Sequence, residues 1–238
     1  MEKNKFIAAL DFEDESLSRG IFDSITGTQL DIIDDDGRTL LHNAVSKNKL
    51  FIVEILVNKG SKVNTSDENG WTPLHSSCSI GNYNISKILI DNGADCGAKT
   101  HSGSTPLHYA ASKGHDQVVD LLIKKDINII DVRDSYGRTA IFMSACSGKK
   151  EAFDTLLNKG ANISYIEDIS GDTVLHAAIN GNHQEIALKI ANEKPEMLLK
   201  KNKEGKIPLD YSSREFTDEL LEIIKNNFDK ESIDKYFE

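Results

Sequence analysis

The chain has 238 residues, with 28 Lys and Arg against 38 Asp and Glu, giving a formal net charge of −10. That excess of carboxylates argues against general nucleic-acid binding, which needs basic side chains to neutralise phosphates. No apolar stretch approaches the roughly 18 residues that span a bilayer, and residues 1–5 do not open a secretory signal, so no membrane partner is expected.

The first elements in chain order are two apolar clusters at helical spacing. Phe6, Ile7, Ala8 and Leu10 form one, and Leu17, Ile21, Phe22 and Ile25 the other. They predict a helix pair at 6–10 and 17–25 that lacks the phrase found downstream. We assign residues 1–35 to an N-terminal capping repeat.

From residue 36 onward one phrase returns six times. It reads Gly-Arg-Thr-Leu-Leu-His at 37–42, Gly-Trp-Thr-Pro-Leu-His at 70–75 and Gly-Ser-Thr-Pro-Leu-His at 103–108. It returns as Gly-Arg-Thr-Ala-Ile-Phe at 137–142, Gly-Asp-Thr-Val-Leu-His at 171–176 and Gly-Lys-Ile-Pro-Leu-Asp at 205–210. Successive glycines stand 33, 33, 34, 34 and 34 residues apart.

The copy at 103–130 shows how each unit is built. Gly103 admits a tight turn, Thr105 caps a helix, and Pro106 takes the first helical position, where its missing N–H costs nothing. Leu107, Ala110 and Ala111 form a small apolar face, Gly114 closes the helix, and Val118, Val119, Leu121, Leu122 and Ile123 predict a second, more apolar one. The same second-helix pattern recurs at Ile52–Leu56, Ile85–Leu89, Phe153–Leu157 and Ile186–Ile190. A last copy opens at Ile207-Pro208-Leu209, with Leu220, Leu221, Ile223 and Ile224 on its second helix.

The fixed period, the Thr-Pro-Leu-His core and the helix pair resemble the ankyrin repeat. The resemblance implies an all-α solenoid of seven helix-turn-helix repeats with β-hairpin tips. Residues 36–203 form five internal repeats, and 204–238 a C-terminal capping repeat and tail. The whole is expected to be one array, monomeric when free, that binds another protein along its concave face.

Catalytic and metal chemistry find little support. His42, His75, His108 and His176 share one phrase position, but equivalent positions in packed neighbours lie about 8–10 Å apart, whereas zinc needs ligands at roughly 2 Å. Each imidazole is instead expected to bond its own Thr and a hairpin. Cys78 is read as packed, Cys96 and Cys146 lack an identifiable base, and no Gly-x-x-x-x-Gly-Lys phosphate loop occurs. No enzyme activity, metal or cofactor is expected. Three irregularly spaced cysteines fit a reducing compartment, so the expected location is the cytoplasm, with the nucleus as a second site. Lys200, Lys201, Lys203 and Lys206, interrupted by Glu204, read as a solvated loop.

What remains is surface. Asp34, Asp35, Asp36, Arg38, Asp67, Glu68, Trp71, Tyr136 and Arg138 fall at tips, and Asn43, Lys47, Ser76, Ser79, Tyr109 and Lys113 on first helices. The chosen binding residues are Asp36, Arg38, Lys47, Glu68, Trp71, Tyr109, Lys113, Tyr136 and Arg138. Trp71, the single tryptophan, is expected to be exposed, and Trp, Tyr and Arg are the types enriched at binding hot spots.

Asp-x-Arg-Thr at 36–39, Gly-Trp-Thr-Pro-Leu-His at 70–75 and Thr-Pro-Leu-His-Tyr-Ala-Ala-Ser-Lys at 105–113 resemble the gankyrin-like assembly chaperones over residues 5–227. The resemblance implies binding of the C-terminal domain of an ATPase subunit of the proteasome regulatory particle. It places charged contacts at Asp36, Arg38, Glu68 and Lys113, and aromatic ones at Trp71 and Tyr109. A Leu-x-Cys-x-Glu motif of the human family member is absent at 175–180, so its retinoblastoma-protein partner is not carried over. The alternative is another intracellular ankyrin adaptor, binding a kinase or a transcription factor, or acting as a pathogen effector.

Overall fold

The computed structural model describes residues 2–12 and 14–229. Met1, Glu13 and residues 230–238, the end of the expected C-terminal tail, lie outside the described residues. Within them the regular structure is helical, and the chain falls into two compact units. One holds the residues up to Ala110 with Gln117–Ile129; the other holds Ala111–Asp116 and the chain from Ile130 onward.

The first unit contains α1 (Glu2–Ala9), α2 (Glu15–Asp23), α3 (Leu40–Ser46), α4 (Leu50–Asn58), α5 (Pro73–Ile80) and α6 (Tyr83–Asp91). It also takes most of α7 (Pro106–Lys113) and α8 (Asp116–Lys125). First helices pack on first helices, α3 on α5, and second helices on second helices, α4 on both α2 and α6. The two layers differ in composition for a physical reason. Helix α5 buries Pro73 through Cys78 without a break, and its serines and cysteine are small enough to let neighbours approach. The hydroxyls of Ser77 and Ser86 bond at 3.0 Å, joining α5 to α6. Helix α6 supplies the bulk through Ile85, Leu89 and Ile90.

The second unit repeats the scheme with α9 (Ala140–Cys146), α10 (Lys150–Asn158), α11 (Val174–Asn180), α12 (Gln184–Glu193) and α13 (Arg214–Asn227). Here α9 packs on α11, α10 on α12, and α13 on α12. The last repeat departs from the others: its first helix is a 3-10 turn, Pro208–Tyr211. Asp210 replaces the histidine, its carboxylate accepting the Ile207 N–H at 2.8 Å. Helix α13 is the longest, and it turns Phe216, Leu220 and Ile224 inward while leaving Leu221 and Ile223 half-buried. An amphipathic end of this kind closes the apolar face of the preceding repeat.

The tips carry only isolated bridges among the described residues, Ile33 with Thr39 and Ile166 with Thr173, rather than hairpin ladders. Their backbone groups are satisfied by side chains together with single main-chain bonds such as Asp67 N–H to the Trp71 carbonyl.

Candidate protein-binding surface

Each tip is organised by one polar side chain three or four residues before its glycine. In the 34–38 tip, Asp34 Oδ1 accepts the N–H of Asp36 at 3.0 Å and of Arg38 at 2.9 Å, while its own N–H donates to the Arg38 carbonyl at 2.9 Å. Asp67 does the same for Asn69 and Trp71, both at 2.9 Å. Asp134 holds Tyr136 and Arg138, and Asn202 holds Glu204 and Lys206. Thr100 does part of the task, its hydroxyl accepting the Ser104 N–H at 3.3 Å. Such short side chains mimic a backbone turn.

The fifth copy of this arrangement, at Glu167, is altered in a compensated way. The other tips place the acceptor three positions before the glycine, as in Asp134 to Gly137, but here Glu167 to Gly171 is one longer. The extra residue is matched by an extra methylene. Glu167 Oε1 accepts the Ile169 N–H at 2.8 Å, and Oε2 accepts both the N–H and the hydroxyl of Ser170 at 2.7 Å. Burial raises the Glu167 carboxyl, but the bonds from Ser170 and Ile169 and the nearby Arg138 outweigh it and hold the group below its ordinary value. Asp34 behaves alike: the bonds from Asn43, Arg38 and Asp36 outweigh burial.

Tips are then joined to one another by main chain. Within the first unit Glu68 N–H donates to the Asp36 carbonyl at 3.3 Å and His101 N–H to Asn69 at 3.0 Å. Within the second, Asp168 N–H donates to Tyr136 at 2.8 Å and Lys203 N–H to Ser170 at 2.9 Å. Gly70 shows how close the approach is. Its φ is 79°, and a Cβ there would stand 3.0 Å from the His101 nitrogen and 3.1 Å from the Thr100 Cα.

The phrase histidines provide a second tie. Thr39 N–H donates to His42 Nδ1 at 3.2 Å, the Thr39 hydroxyl lies 2.8 Å from the same nitrogen, and His42 N–H returns to Thr39 Oγ1 at 3.3 Å. The other ring nitrogen, Nε2, donates to the Trp71 carbonyl of the next tip at 3.0 Å. His75 reaches the Ser104 carbonyl at 3.2 Å and His176 that of Lys206 at 3.1 Å by the same pattern. A carbonyl only accepts, so Nε2 carries the proton and Nδ1 is free to accept from threonine. Burial favours this neutral ring: it pushes His75 down to about 4 and moves His42 and His176 in the same direction.

The chosen binding residues divide into those left open and those already engaged. Asp36, Glu68, Lys113 and Tyr136 are exposed. Arg38 is half-buried and its Nε lies 3.4 Å from Asp67 Oδ2, so its charge also ties one tip to the next. Asp67 itself, read from the sequence as tip surface, is only 7% exposed. Arg138 binds buried Asp134 through both Nε and Nη2, at 2.9 and 2.8 Å, and Lys47 pairs with Asp11. Trp71 is not the free tip aromatic that the sequence implied. It is half-buried, its ring 4.4 Å from Tyr109 and 5.8 Å from His75. Ser76, expected on the outer side of its helix, is buried.

Two thiols are packed away. Burial raises Cys78 to about 12 and Cys96 to about 11, which keeps both protonated at neutral pH, whereas Cys146 is exposed. No helix among the described residues is long and apolar enough to cross a membrane.

Comparison with known proteins agrees with this construction. The family model described as "Ankyrin repeats (3 copies)" matches residues 7–100 and again 92–167. No curated protein matches the sequence. Beyond the matched residues the same Thr–His cap and tip bonding recur at Thr173–His176 and at Asn202. The chain therefore belongs to the ankyrin-repeat proteins, and its repeats form a protein-binding scaffold.

Proposed function

We propose that the scaffold acts as a non-catalytic assembly chaperone, holding the C-terminal domain of an ATPase subunit of the proteasome regulatory particle until assembly proceeds. The observation that supports it most is the Trp71–Tyr109 pair, at 4.4 Å, on two adjacent repeats. A half-buried aromatic pair offers apolar area at a small loss of side-chain freedom, the property of an anchor. Exposed Glu68 lies on the same tip as Trp71 and exposed Asp36 on the preceding one, so charge stands beside the anchor, as the resemblance to gankyrin-like proteins implies. Binding of this kind is stoichiometric and needs no nucleotide on the chaperone.

Calorimetric titration against the isolated ATPase C-terminal domain tests the reading. Trp71→Ala should weaken binding by at least tenfold, with little dependence on salt. Glu68→Lys combined with Lys113→Glu should weaken it further and in a salt-dependent way, since both residues are exposed. Arg38→Glu is a poorer probe, because it would set a carboxylate against buried Asp67. Absence of binding by the natural chain would remove the chaperone reading. A second reading, an adaptor for another intracellular protein, draws on the internal pairing of Arg38, Lys47 and Arg138, which leaves fewer cations for an acidic partner.

A further inference from the structure

We infer that the space between the Asp134–Arg138 tip and the Glu167–Asp172 tip is a docking site for one large apolar side chain of a partner segment that carries Lys or Arg beside it. This deepens the scaffold reading and rests on it, but it does not depend on the partner being an ATPase.

Three independent features of this chain converge there. The first is a missing tie. The histidine position of this repeat is Phe142, which has no ring N–H, so the 167–172 tip lacks the bond that His42, His75 and His176 give to the tips that follow them. The second is the inserted residue. Lengthening the tip by one places Ile169 outward at 67% exposure, the highest of the large apolar side chains among the described residues. Burying such a side chain on a partner is favourable, and an isoleucine this exposed on a tip braced by Glu167 has no role in holding the fold. The third is a preorganised opposite wall. Tyr136, 42% exposed, has the Arg138 guanidinium 4.6 Å from its ring centroid, and Arg138 is fixed by its fork onto Asp134.

Between the two walls lies a groove of about 410 Å3, with Phe142, Cys146 and Ala177 among the residues that line it. That volume falls within the roughly 300–1,000 Å3 of ligand-holding clefts. It takes one large apolar side chain and the main chain that carries it. Charge then selects the flank. The lining holds one cation, Arg138, against Glu167 and Asp172, and buried Asp134 beneath adds a third carboxylate. Arg138 is spent on Asp134, so an incoming segment meets negative potential, on a chain already at −10. A basic flank is attracted and an acidic one repelled. The occupant is therefore an apolar side chain adjacent to Lys or Arg in another protein.

The probe is a phage-displayed library of random linear peptides, selected on the full-length chain. Enriched peptides should share one Leu, Ile, Met or Phe next to Lys or Arg. A synthetic copy of the most enriched should lose at least tenfold in affinity against Ile169→Ser, by fluorescence anisotropy. The same loss should follow when the tip is returned to ordinary length by Glu167→Asp with Ile169 deleted. Trp71→Ala should leave this affinity unchanged, and replacing the peptide's Lys or Arg by Glu should reduce it at least tenfold. Thermal melts of Ile169→Ser superimposing on the natural chain's would show that the loss is not unfolding. Unchanged binding by Ile169→Ser overturns the docking site, as does the absence of any enriched motif of this kind. Peptides that depend on Trp71 but not on Ile169 would leave the scaffold reading standing and remove this site. ATPase-domain binding that fails while the Ile169-dependent peptide holds would remove the chaperone reading and leave both the scaffold reading and this site standing.

Discussion

Lowering the pH should loosen the repeats at the histidines, and His75 gives the clearest magnitude. Its ring is fully shielded from solvent, and both nitrogens are committed, Nδ1 as acceptor from Thr72 and Nε2 as donor to the Ser104 carbonyl. A second proton would have to be placed on Nδ1, which has no acceptor to receive it. Burial accordingly holds the native group at about 4, whereas an unfolded histidine titrates near 6.5. The unfolded chain therefore binds more protons between these values, so the stability from His75 is complete above about pH 6.5 and is lost as the pH falls towards 4. Near pH 5 the unfolded ring is about thirty parts protonated to one neutral, and the native ring about one part in ten; the difference is about 2 kcal/mol. Below pH 4 the loss levels off at about 3 kcal/mol. That is a large fraction of the roughly 5–15 kcal/mol that stabilises an ordinary domain. His42 and His176 shift in the same direction and add to it. Urea denaturation followed by circular dichroism, near pH 7 and near pH 5, should show His75→Gln less stable than the natural chain at the higher pH. The gap should narrow by about 2 kcal/mol at the lower. A gap that does not change with pH, or an NMR titration of the His75 ring with a midpoint near 6.5, would refute the reasoning.

Three further outcomes are expected. Asp67→Ala removes a buried carboxylate that accepts from Asn69, Trp71 and Arg38, and should lower stability by about 3 kcal/mol in chemical denaturation, more than Asp36→Ala on the exposed part of a tip. Leu220→Ala on α13 should cost about 2–5 kcal/mol, and removing the helix altogether should cause aggregation, read by light scattering, because Phe216, Leu220 and Ile224 are buried. Of the three thiols, Cys146 should react with a disulfide reagent within the dead time of native mixing, and Cys78 and Cys96 only after denaturant is added.

The helices were legible because their signals are local. Thr105 followed by Pro106, with apolar residues at Leu107, Ala110 and Ala111, fixes a start and a buried face within one turn, and α7 begins at Pro106. The paired role of the histidines was also readable, since Thr at the cap and His three residues on can bond each other in one helix only. Roles that depend on the neighbouring repeat were less so. Asp67 looks like any acid at a tip until the Arg38 side chain from the preceding tip closes over it. Trp71 reads as exposed until Tyr109 is laid against it. The period shows that residues were added to later copies but not where. One copy lengthens a helix, ten residues in α8 against nine in α6, while another lengthens a tip at Glu167. The signal for the tip acids was present, as Asp34, Asp67 and Asp134 each stand three residues before a phrase glycine, but charge at a turn is read first as solvent contact.

The main-chain bonds between tips also bear on how this chain could change its associations over time. Glu68, His101, Asp168 and Lys203 each donate a main-chain N–H to the preceding tip, and no side chain takes part in that bond. Nineteen of the twenty amino acids could supply the same N–H; only proline, with none to give, is barred. Recognition can thus drift at these four positions while the main-chain bonds beneath them stay intact. At these positions the side chain presented outward is uncoupled from the main-chain bond that helps to hold the stack.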